Sequence, residues 1–333
     1  MIWNVLVTAS PLVDAVGATA RDLLGNGGFS LVHPPRYGPL PEAEILACLE
    51  GIDAVYASVD RYTAAVLQSP QAARLKVISR WGVGYDSIDI AAATEAGIVV
   101  AYTPGLLNEA VADYAMALLL GVARRIHEGH ASMRAGRWEP AWGHDIAGQT
   151  LGLVGCGRIG QAVARRAAGF GMTILAHDPV PQPEAEAAGV RFVSLGELLE
   201  RSDFVSLHAA LTPATRGLIG EAELRRMKPS AYLVNTARGA VIDESALVRA
   251  LQERWIAGAA IDAFVTEPLP SGHPLATAPN LLLTPHQASF GAETGRRVSE
   301  AAARALVDAR AGRRPKWVVN PAVFDSPALR LAS

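Results

Sequence analysis

The sequence lacks several features that would place the protein outside the ordinary globular enzymes. It has only two cysteines, Cys48 and Cys156, in 333 residues. A disulfide framework is therefore excluded, and we expect both thiols to stay reduced in the cytoplasm. No apolar run reaches the roughly 18–20 residues that a membrane span needs. No basic start followed by an apolar core indicates a signal peptide. We expect a cytoplasmic protein without a membrane partner.

The sequence also lacks an excess of charge of either sign. Its 30 basic and 32 acidic side chains give a formal net charge of −2. A nucleic-acid partner would favour a basic surface, so we expect none. A small anionic substrate needs only local charge and stays compatible with this balance. No metal site, internal repeat or low-complexity segment is predicted.

What the sequence does contain is a regular alternation of short apolar runs and helical stretches. This alternation is typical of an α/β fold with parallel sheets, and the chain length suggests about two domains. Breaks near Pro104 and Pro285 separate the series. The longest helices are predicted at about Glu109 to His127 and Ala292 to Ala311. The predicted strands are residues 4–8, 54–56, 77–79, 99–101, 151–154, 173–176, 204–207, 232–234, 258–261 and 281–283.

A glycine motif follows the first strand of the second series. Residues 155–160 read Gly-Cys-Gly-Arg-Ile-Gly and lead into a helix with a regular apolar face. In this setting Gly155 permits a tight turn, Gly157 lets the backbone approach a pyrophosphate, and Gly160 lets the helix pack on the strand. The helix N-terminus offers free N–H groups to phosphate oxygens. The motif predicts a dinucleotide site.

The next strand ends beside an acidic residue, Asp178. Its distance from Gly160 is close to the roughly 20 positions expected for the acid that binds the cofactor ribose. A carboxylate there accepts hydrogen bonds from ribose hydroxyls and repels a 2′-phosphate. No arginine or serine follows directly to hold such a phosphate. The sequence therefore predicts NAD rather than NADP.

Three polar residues follow three later strands of the same series. Arg238, Glu267 and His286 lie just after the predicted strands at 232–234, 258–261 and 281–283. Each alone has an ordinary explanation as a surface or turn residue. The carboxyl ends of strands line the ligand crevice of a doubly wound sheet, so behind a dinucleotide motif these side chains predict one catalytic site.

In these motifs, their order and their spacing, the sequence resembles the D-isomer-specific 2-hydroxyacid dehydrogenases. That family includes phosphoglycerate dehydrogenases and glyoxylate/hydroxypyruvate reductases. Further segments carry the resemblance, which covers nearly the whole chain: residues 79–86, 211–219 and 234–239. It implies two Rossmann-like domains: an NAD-binding domain of residues 104–285, and a discontinuous flavodoxin-like substrate domain of residues 1–103 and 286–333. It also implies a homodimer formed through the cofactor domain.

The resemblance implies an oxidoreductase that moves a hydride between NAD(H) and C2 of a small 2-hydroxy or 2-oxo acid. His286 would be the acid in reduction and the base in oxidation. Glu267 would orient the imidazole and stabilise its cation. Arg238 would bind the substrate carboxylate and polarise the C2 carbonyl through its planar fork of donors.

The resemblance also implies contacts to the two ligands. The substrate contacts, besides Arg238, are Arg80, Trp81, Val83 and Gly84. The Val83–Gly84 contacts would come from backbone amides, although a plain glycine turn is the alternative. Trp81 could equally pack between domains. The cofactor contacts are Gly155, Gly157, Arg158, Ile159, Gly160, Asp178, His208, Ala209, Pro213, Thr236, Asp262 and the catalytic residue His286.

The chain departs from the phosphoglycerate dehydrogenases, to which it is otherwise most similar. Those enzymes carry an arginine in the first domain that helps bind the anionic substrate, and Ala57 stands at the matching position. Phosphoglycerate is therefore disfavoured as the substrate. Two alternatives remain open: oxidation of another small anion, such as phosphite or a phosphonate analogue, and a non-catalytic NAD(H)-sensing scaffold similar to the family's corepressors. Formate is less favoured, because Glu267 replaces the glutamine of the formate dehydrogenases.

Overall fold

The computed structural model describes residues 2–332 and divides them into two compact units. Unit 1 holds the chain up to Leu107 and again from Phe290, and unit 2 is Asn108–Ser289. These boundaries lie a few residues beyond those that the sequence predicts. His286, predicted to begin the second part of the substrate domain, therefore belongs to unit 2, together with Glu267.

Unit 1 contains a five-stranded parallel sheet in the order β2-β1-β3-β4-β5. This is the flavodoxin-like arrangement, in which the strand order reverses between β1 and β3. Its strands are β1 (Trp3–Val7), β2 (Phe29–Val32), β3 (Ala54–Ala57), β4 (Val77–Arg80) and β5 (Val99–Ala101). The helices of this part of the chain are α1 (Ala18–Asn26), α2 (Glu42–Cys48), α3 (Ala64–Leu67) and α4 (Ile90–Glu95). Strands β3, β4 and β5 are buried throughout, which explains their largely apolar sequences.

Unit 2 begins with two helices where the sequence predicts one. They are α5 (Asn108–Ala123) and α6 (Ile126–Arg134). Arg125 separates them because its backbone is left-handed, with φ of 51°. A residue in that conformation cannot continue a right-handed helix.

The sheet of unit 2 has seven parallel strands in the order β12-β11-β10-β9-β6-β7-β8. This is the Rossmann arrangement with one added strand, and the order reverses between β6 and β9. The strands are β6 (Thr150–Val154), β7 (Thr173–His177), β8 (Arg191–Phe192), β9 (Phe204–Leu207), β10 (Tyr232–Asn235), β11 (Gly258–Ile261) and β12 (Leu281–Leu283). The connecting helices are α7 (Arg158–Ala168), α8 (Pro183–Ala187), α9 (Leu195–Arg201), α10 (Glu221–Arg226) and α11 (Glu244–Gln252).

Two apolar layers cover this sheet. One contains buried side chains of α5 and α7, and the other contains buried side chains of α9, α10 and α11. Since both faces are covered, the strand ends are the places where polar side chains can meet a ligand. The last helix, α12 (Ala292–Arg310), lies in unit 1, where it packs against α1, β3 and β4. No helix within residues 2–332 is both long and apolar enough to cross a bilayer.

Candidate active site

The glycine motif forms the turn between β6 and α7, and each glycine is required for a different reason. Gly155 has φ of 93°, and a side chain there would lie 2.6 Å from the amide nitrogen of Ala209. A side chain at Gly160 would collide with the carbonyl of Gly155, so only glycine lets α7 pack this closely. Gly157 instead faces open space. It therefore leaves a cradle at the start of α7, where a pyrophosphate can approach.

The turn lies at the point where the strand order reverses. The end of β9 brings His208 and Ala209 beside it. Burial lowers the pKa of His208 to about 4, so this imidazole is neutral near pH 7. Its Nε2 lies 2.9 Å from the hydroxyl oxygen of Ser206. The two residues after β9 that are predicted to contact the cofactor, His208 and Ala209, therefore lie beside the glycine turn.

Asp178 is tied directly to the same turn. One carboxylate oxygen accepts a hydrogen bond from the amide of Cys156 at 2.8 Å, and the other accepts one from Val180 at 2.9 Å. These bonds fix the carboxylate at the end of β7. Each oxygen keeps a second lone pair, so the carboxylate can still accept hydrogen bonds from ribose hydroxyls.

The remaining predicted cofactor contacts lie around this turn or at later strand ends. Arg158 and Ile159 begin α7, and Pro213 is exposed after β9. The hydroxyl of Thr236, which follows β10, is buried and has no hydrogen-bond partner in the described chain. At this strand end, beside the dinucleotide turn, a bound cofactor would supply a partner for the hydroxyl. Together with the open cradle at Gly157, this hydroxyl fits a bound dinucleotide. No group of metal-ligating side chains occurs within residues 2–332.

The three predicted catalytic residues follow neighbouring strands of unit 2. Arg238 follows β10, Glu267 lies in the loop after β11, and His286 follows β12. His286 Nδ1 lies 2.8 Å from each carboxylate oxygen of Glu267. The amide of Phe264 donates to Oε1 of Glu267 at 2.9 Å. The sheet thus brings the acid and the imidazole together as the sequence predicts.

The pKa of Glu267 reflects these contacts. Burial alone would raise it, but the hydrogen bond and charge of His286, the amide of Phe264 and the charge of Arg238 outweigh burial and lower the pKa below 4.5. Glu267 is therefore an anion throughout the neutral range. An anion at Nδ1 orients the ring and stabilises the imidazolium.

Asp262 holds the turn that carries His286. It is fully buried, and its carboxylate accepts hydrogen bonds from the Thr284 hydroxyl at 2.6 Å, the Gln287 amide at 3.0 Å and the Ala288 amide at 2.9 Å. These bonds flank His286, whose φ of 50° is unfavourable for a residue with a side chain. Sequence reasoning assigned Asp262 only to the cofactor and missed this support.

Arg238 is braced by its own loop. The Asn235 side chain donates to the carbonyl of Arg238 and accepts from the amide of Ala237, both at 2.9 Å. The next residue, Gly239, touches the backbone of Phe264 so closely that a side chain would not fit. The loops that carry Arg238 and Glu267 are therefore packed against each other.

The predicted substrate loop lies in unit 1, directly after β4. The indole N–H of Trp81 donates to Ser299 on α12 at 2.9 Å, and Arg80 turns back onto the loop. These contacts support packing and loop-holding roles, so a direct substrate contact of either side chain stays a prediction. Within residues 2–332, no acceptor is found for the amides of Val83 and Gly84. Two such adjacent donors suit a carboxylate.

Comparison with known proteins decides the family. The model of the D-isomer specific 2-hydroxyacid dehydrogenase NAD binding domain matches residues 116–288. The glyoxylate reductase of Korarchaeum cryptofilum is 49% identical over 259 residues, covering 76% of this chain and 78% of that protein. The glyoxylate reductase of Thermofilum pendens is 44% identical over 303 residues, covering 88% and 89%. The chain belongs to the D-isomer-specific 2-hydroxyacid dehydrogenases.

A solved relative adds the cofactor. The NAD-dependent formate dehydrogenase of Staphylococcus aureus, solved in complex with NAD, superposes with a TM-score of 0.81 at 30% identity, covering 92% of this chain and 94% of that one. The dehydrogenase described here uses NAD and transfers a hydride between NAD(H) and a small 2-hydroxy or 2-oxo acid. The predicted fold class, family, activity and cofactor are confirmed.

Proposed function

We propose that this dehydrogenase reduces glyoxylate to glycolate, with Arg238, Glu267 and His286 as its catalytic residues. The observation that carries the proposal is the pairing of His286 Nδ1 with both oxygens of Glu267 at 2.8 Å. This pairing orients the imidazole so that its other nitrogen, Nε2, can exchange a proton with the substrate. The curated relatives named above are glyoxylate reductases, which supports the choice of substrate.

His286 supplies the proton in this mechanism. Because Glu267 engages Nδ1, Nε2 is the ring nitrogen that can donate. The cofactor NADH supplies the hydride that C2 of the substrate receives. As the carbonyl double bond opens, its oxygen takes the proton from Nε2 and becomes the hydroxyl. The neutral imidazole then regains a proton from solvent, and oxidation runs through the same steps in reverse.

Substrate binding uses the carboxylate that all 2-oxo acids share. Arg238 offers a planar fork of charged donors, which matches a carboxylate and also polarises the neighbouring carbonyl. The amides of Val83 and Gly84 add two neutral donors. Arg80 and Trp81, which precede these amides, belong to the same part of the proposed substrate site.

Ala57 supports a substrate with a small substituent. It ends β3, it is fully buried, and it stands where the phosphoglycerate dehydrogenases carry an arginine. A phosphate on the substrate would have no counter-charge at this position. Desolvating an unpaired dianion is costly. Glyoxylate, which has only a hydrogen on C2, avoids that cost.

The cofactor is held by residues of unit 2. Gly155, Gly157 and Gly160 shape the turn, and the amides at the start of α7, from Arg158 and Ile159, face the pyrophosphate. Asp178 accepts hydrogen bonds from the adenosine ribose. The other residues that we assign to the cofactor border the same strand ends: His208, Ala209, Pro213, Thr236, Asp262 and His286.

We infer that the enzyme is a homodimer that works in the cytoplasm. Unit 2 exposes Trp138 to 85% and Trp142 to 96%, in the segment that follows α6. Ile126 and Met133 on α6 are also more than half exposed. Four large apolar side chains exposed within residues 126–142 favour a protein interface there. Cys48 and Cys156 are both free thiols, which fits a reducing compartment.

A substrate panel tests the proposal. The purified enzyme is assayed with NADH and glyoxylate, hydroxypyruvate, pyruvate or phosphohydroxypyruvate, and with NAD and phosphite. We expect the highest kcat/KM for glyoxylate and the lowest among the 2-oxo acids for phosphohydroxypyruvate. Oxidation of phosphite without reduction of any 2-oxo acid would support the alternative anion. NADH binding without turnover of any substrate would support the sensing scaffold.

A further inference from the structure

The substrate loop of unit 1 is held from inside by an arginine. Arg80 ends β4 and is only 6% exposed. Its Nε donates to the carbonyl of Gly84 at 2.9 Å, and its Nη1 donates to the carbonyl of Trp81. The guanidinium thus lies within the curve of the loop and binds the carbonyls near its two ends.

Gly82 makes room for this guanidinium. Its φ of 133° is accessible in practice only to glycine. A side chain at this position would lie 3.0 Å from Nη1 of Arg80. The loop therefore combines a glycine conformation with an arginine that stabilises it.

Thr103, which lies two residues after β5, binds the middle of the loop. It is buried, its hydroxyl accepts from the amide of Gly82 at 3.0 Å, and it donates to the carbonyl of Gly82 at 3.1 Å. The backbone amide of Thr103 donates to the same carbonyl at 3.0 Å. Both polar groups of Gly82 are therefore satisfied within unit 1.

A buried acid accompanies the buried guanidinium. Asp60 follows β3 and is fully buried, where it accepts hydrogen bonds from Thr8 and from the amides of Leu40 and Ser58. Burial raises the pKa of Asp60, while these bonds and the charge of Arg80 oppose the rise. The charge of Arg80 therefore acts on a buried acid of the same unit.

We propose that Arg80 and Thr103 are positioning residues of the substrate site. They take up the carbonyls of Trp81, Gly82 and Gly84, so the amides of Val83 and Gly84 remain as the donors for the substrate carboxylate. This inference rests on the proposed function, which assigns those two amides to the substrate. Arg80 then acts through the loop.

Thr103 provides the cleanest test, because its hydroxyl can be removed with little change of shape. In Thr103→Val we expect the KM for glyoxylate and the inhibition constant of oxamate, a non-reducible analogue, to rise ~10-fold, the value of about one hydrogen bond. The kcat and the Kd for NADH, followed by fluorescence, should change less than about 2-fold. Thr103→Ser, which retains the hydroxyl, should restore both constants.

The matched control is Thr63→Val. The hydroxyl of Thr63 is also buried in unit 1 but has no hydrogen-bond partner in the described chain. The Thr63→Val variant should leave the KM, the inhibition constant, the kcat and the Kd for NADH unchanged. If Thr103→Val has unaltered KM and oxamate inhibition while the wild type reduces glyoxylate, the inference is wrong and the proposed function stands. If the wild type reduces no 2-oxo acid, the proposed function itself has failed.

Arg80→Met separates a positioning role from direct contact. If Arg80 acts through the loop, the KM should rise by a similar factor for glyoxylate and for phosphohydroxypyruvate, since both share the carboxylate. A rise confined to phosphohydroxypyruvate would show direct contact with the substrate tail and overturn the proposal for Arg80. Arg304→Met, on the exposed face of α12, is the control. If Arg80→Met does not fold, Thr103→Val still decides the proposal.

Discussion

Glu267 presents both of its carboxylate oxygens to a single nitrogen of His286, at 2.8 Å each. The amide of Phe264 holds Oε1 of the same carboxylate. The acid is therefore fixed by the chain and in turn fixes the imidazole. Its lowered pKa keeps it charged, so its contribution is both geometric and electrostatic.

The variant Glu267→Gln separates these two contributions. The amide can still contact Nδ1 but carries no charge, so the imidazolium needed for reduction is less favoured. We expect the variant to retain a smaller fraction of the wild-type kcat as the pH rises from 5.5 to 8.5. A tenfold loss would correspond to about 1.4 kcal/mol less stabilisation of the imidazolium. Rates of glyoxylate reduction across this range provide the measurement. A constant fraction at all pH values would contradict the electrostatic role.

Asp178 should set the choice between NAD and NADP. The wild type should prefer NADH to NADPH by at least about tenfold in kcat/KM, or roughly 1.4 kcal/mol. Asp178→Asn removes the charge that repels a 2′-phosphate and keeps an acceptor oxygen for one of the two amides, those of Cys156 and Val180, that the carboxylate binds. The preference should narrow. Asp243→Asn, at the start of α11, is the control, and equal kinetics of the wild type with both cofactors would refute the assignment.

The site was predictable where its residues follow continuous apolar strands. The strands at 204–207, 258–261 and 281–283 lie where the sequence places them, and so do the residues after their ends. The edge strands β2 and β8 escaped prediction because Ser30 and Arg191 interrupt their apolar sequences. The break of the first long helix also escaped, since Arg125 is neither glycine nor proline.

The supporting residues were not predictable, for a different reason. Thr103 precedes the predicted break at Pro104 and carries no local signal of its role, because its partner Gly82 is 21 positions away in sequence. Asp262 was recognised as a site residue but its bonds to the His286 turn depend on how β11 and β12 pair. Local patterns identify the residues at strand ends. They do not identify which distant groups those residues hold.

His208 should make stability depend on pH. Its pKa is about 4 in the folded chain because of burial, compared with 6.5 ordinarily. The unfolded chain therefore binds the extra proton first, so this contribution is complete above pH 6.5 and is lost as the pH falls towards 4. The loss is at most about 3 kcal/mol. Chemical unfolding of the apoenzyme measures it, and His208→Gln should lose less stability over this interval. Parallel pH profiles of the two proteins would contradict the prediction.

Trp138 and Trp142 should be required for the dimer. Replacing both by serine removes the largest exposed apolar surface of the segment after α6 while disturbing no buried contact. Sedimentation equilibrium should show a dimer for the wild type and a weakened dimer or monomer for the double variant, at least ~100-fold weaker if these are central interface residues. Val180→Ser, at another exposed apolar position of unit 2, should stay dimeric. A wild-type monomer, or an unaffected double variant, would rule out this interface.

The proton donor is the centre of the mechanism, and His286→Ala tests it most directly. The measurement is kcat for glyoxylate reduction at saturating NADH, with the Kd for NADH determined in parallel and His33→Ala, an exposed histidine of unit 1, as the control. We expect kcat to fall about 10²-fold to 10⁴-fold, the usual contribution of a positioned acid. NADH binding should change little, because other residues hold the pyrophosphate and the ribose of the cofactor. Turnover by His286→Ala close to that of the wild type would contradict the mechanism.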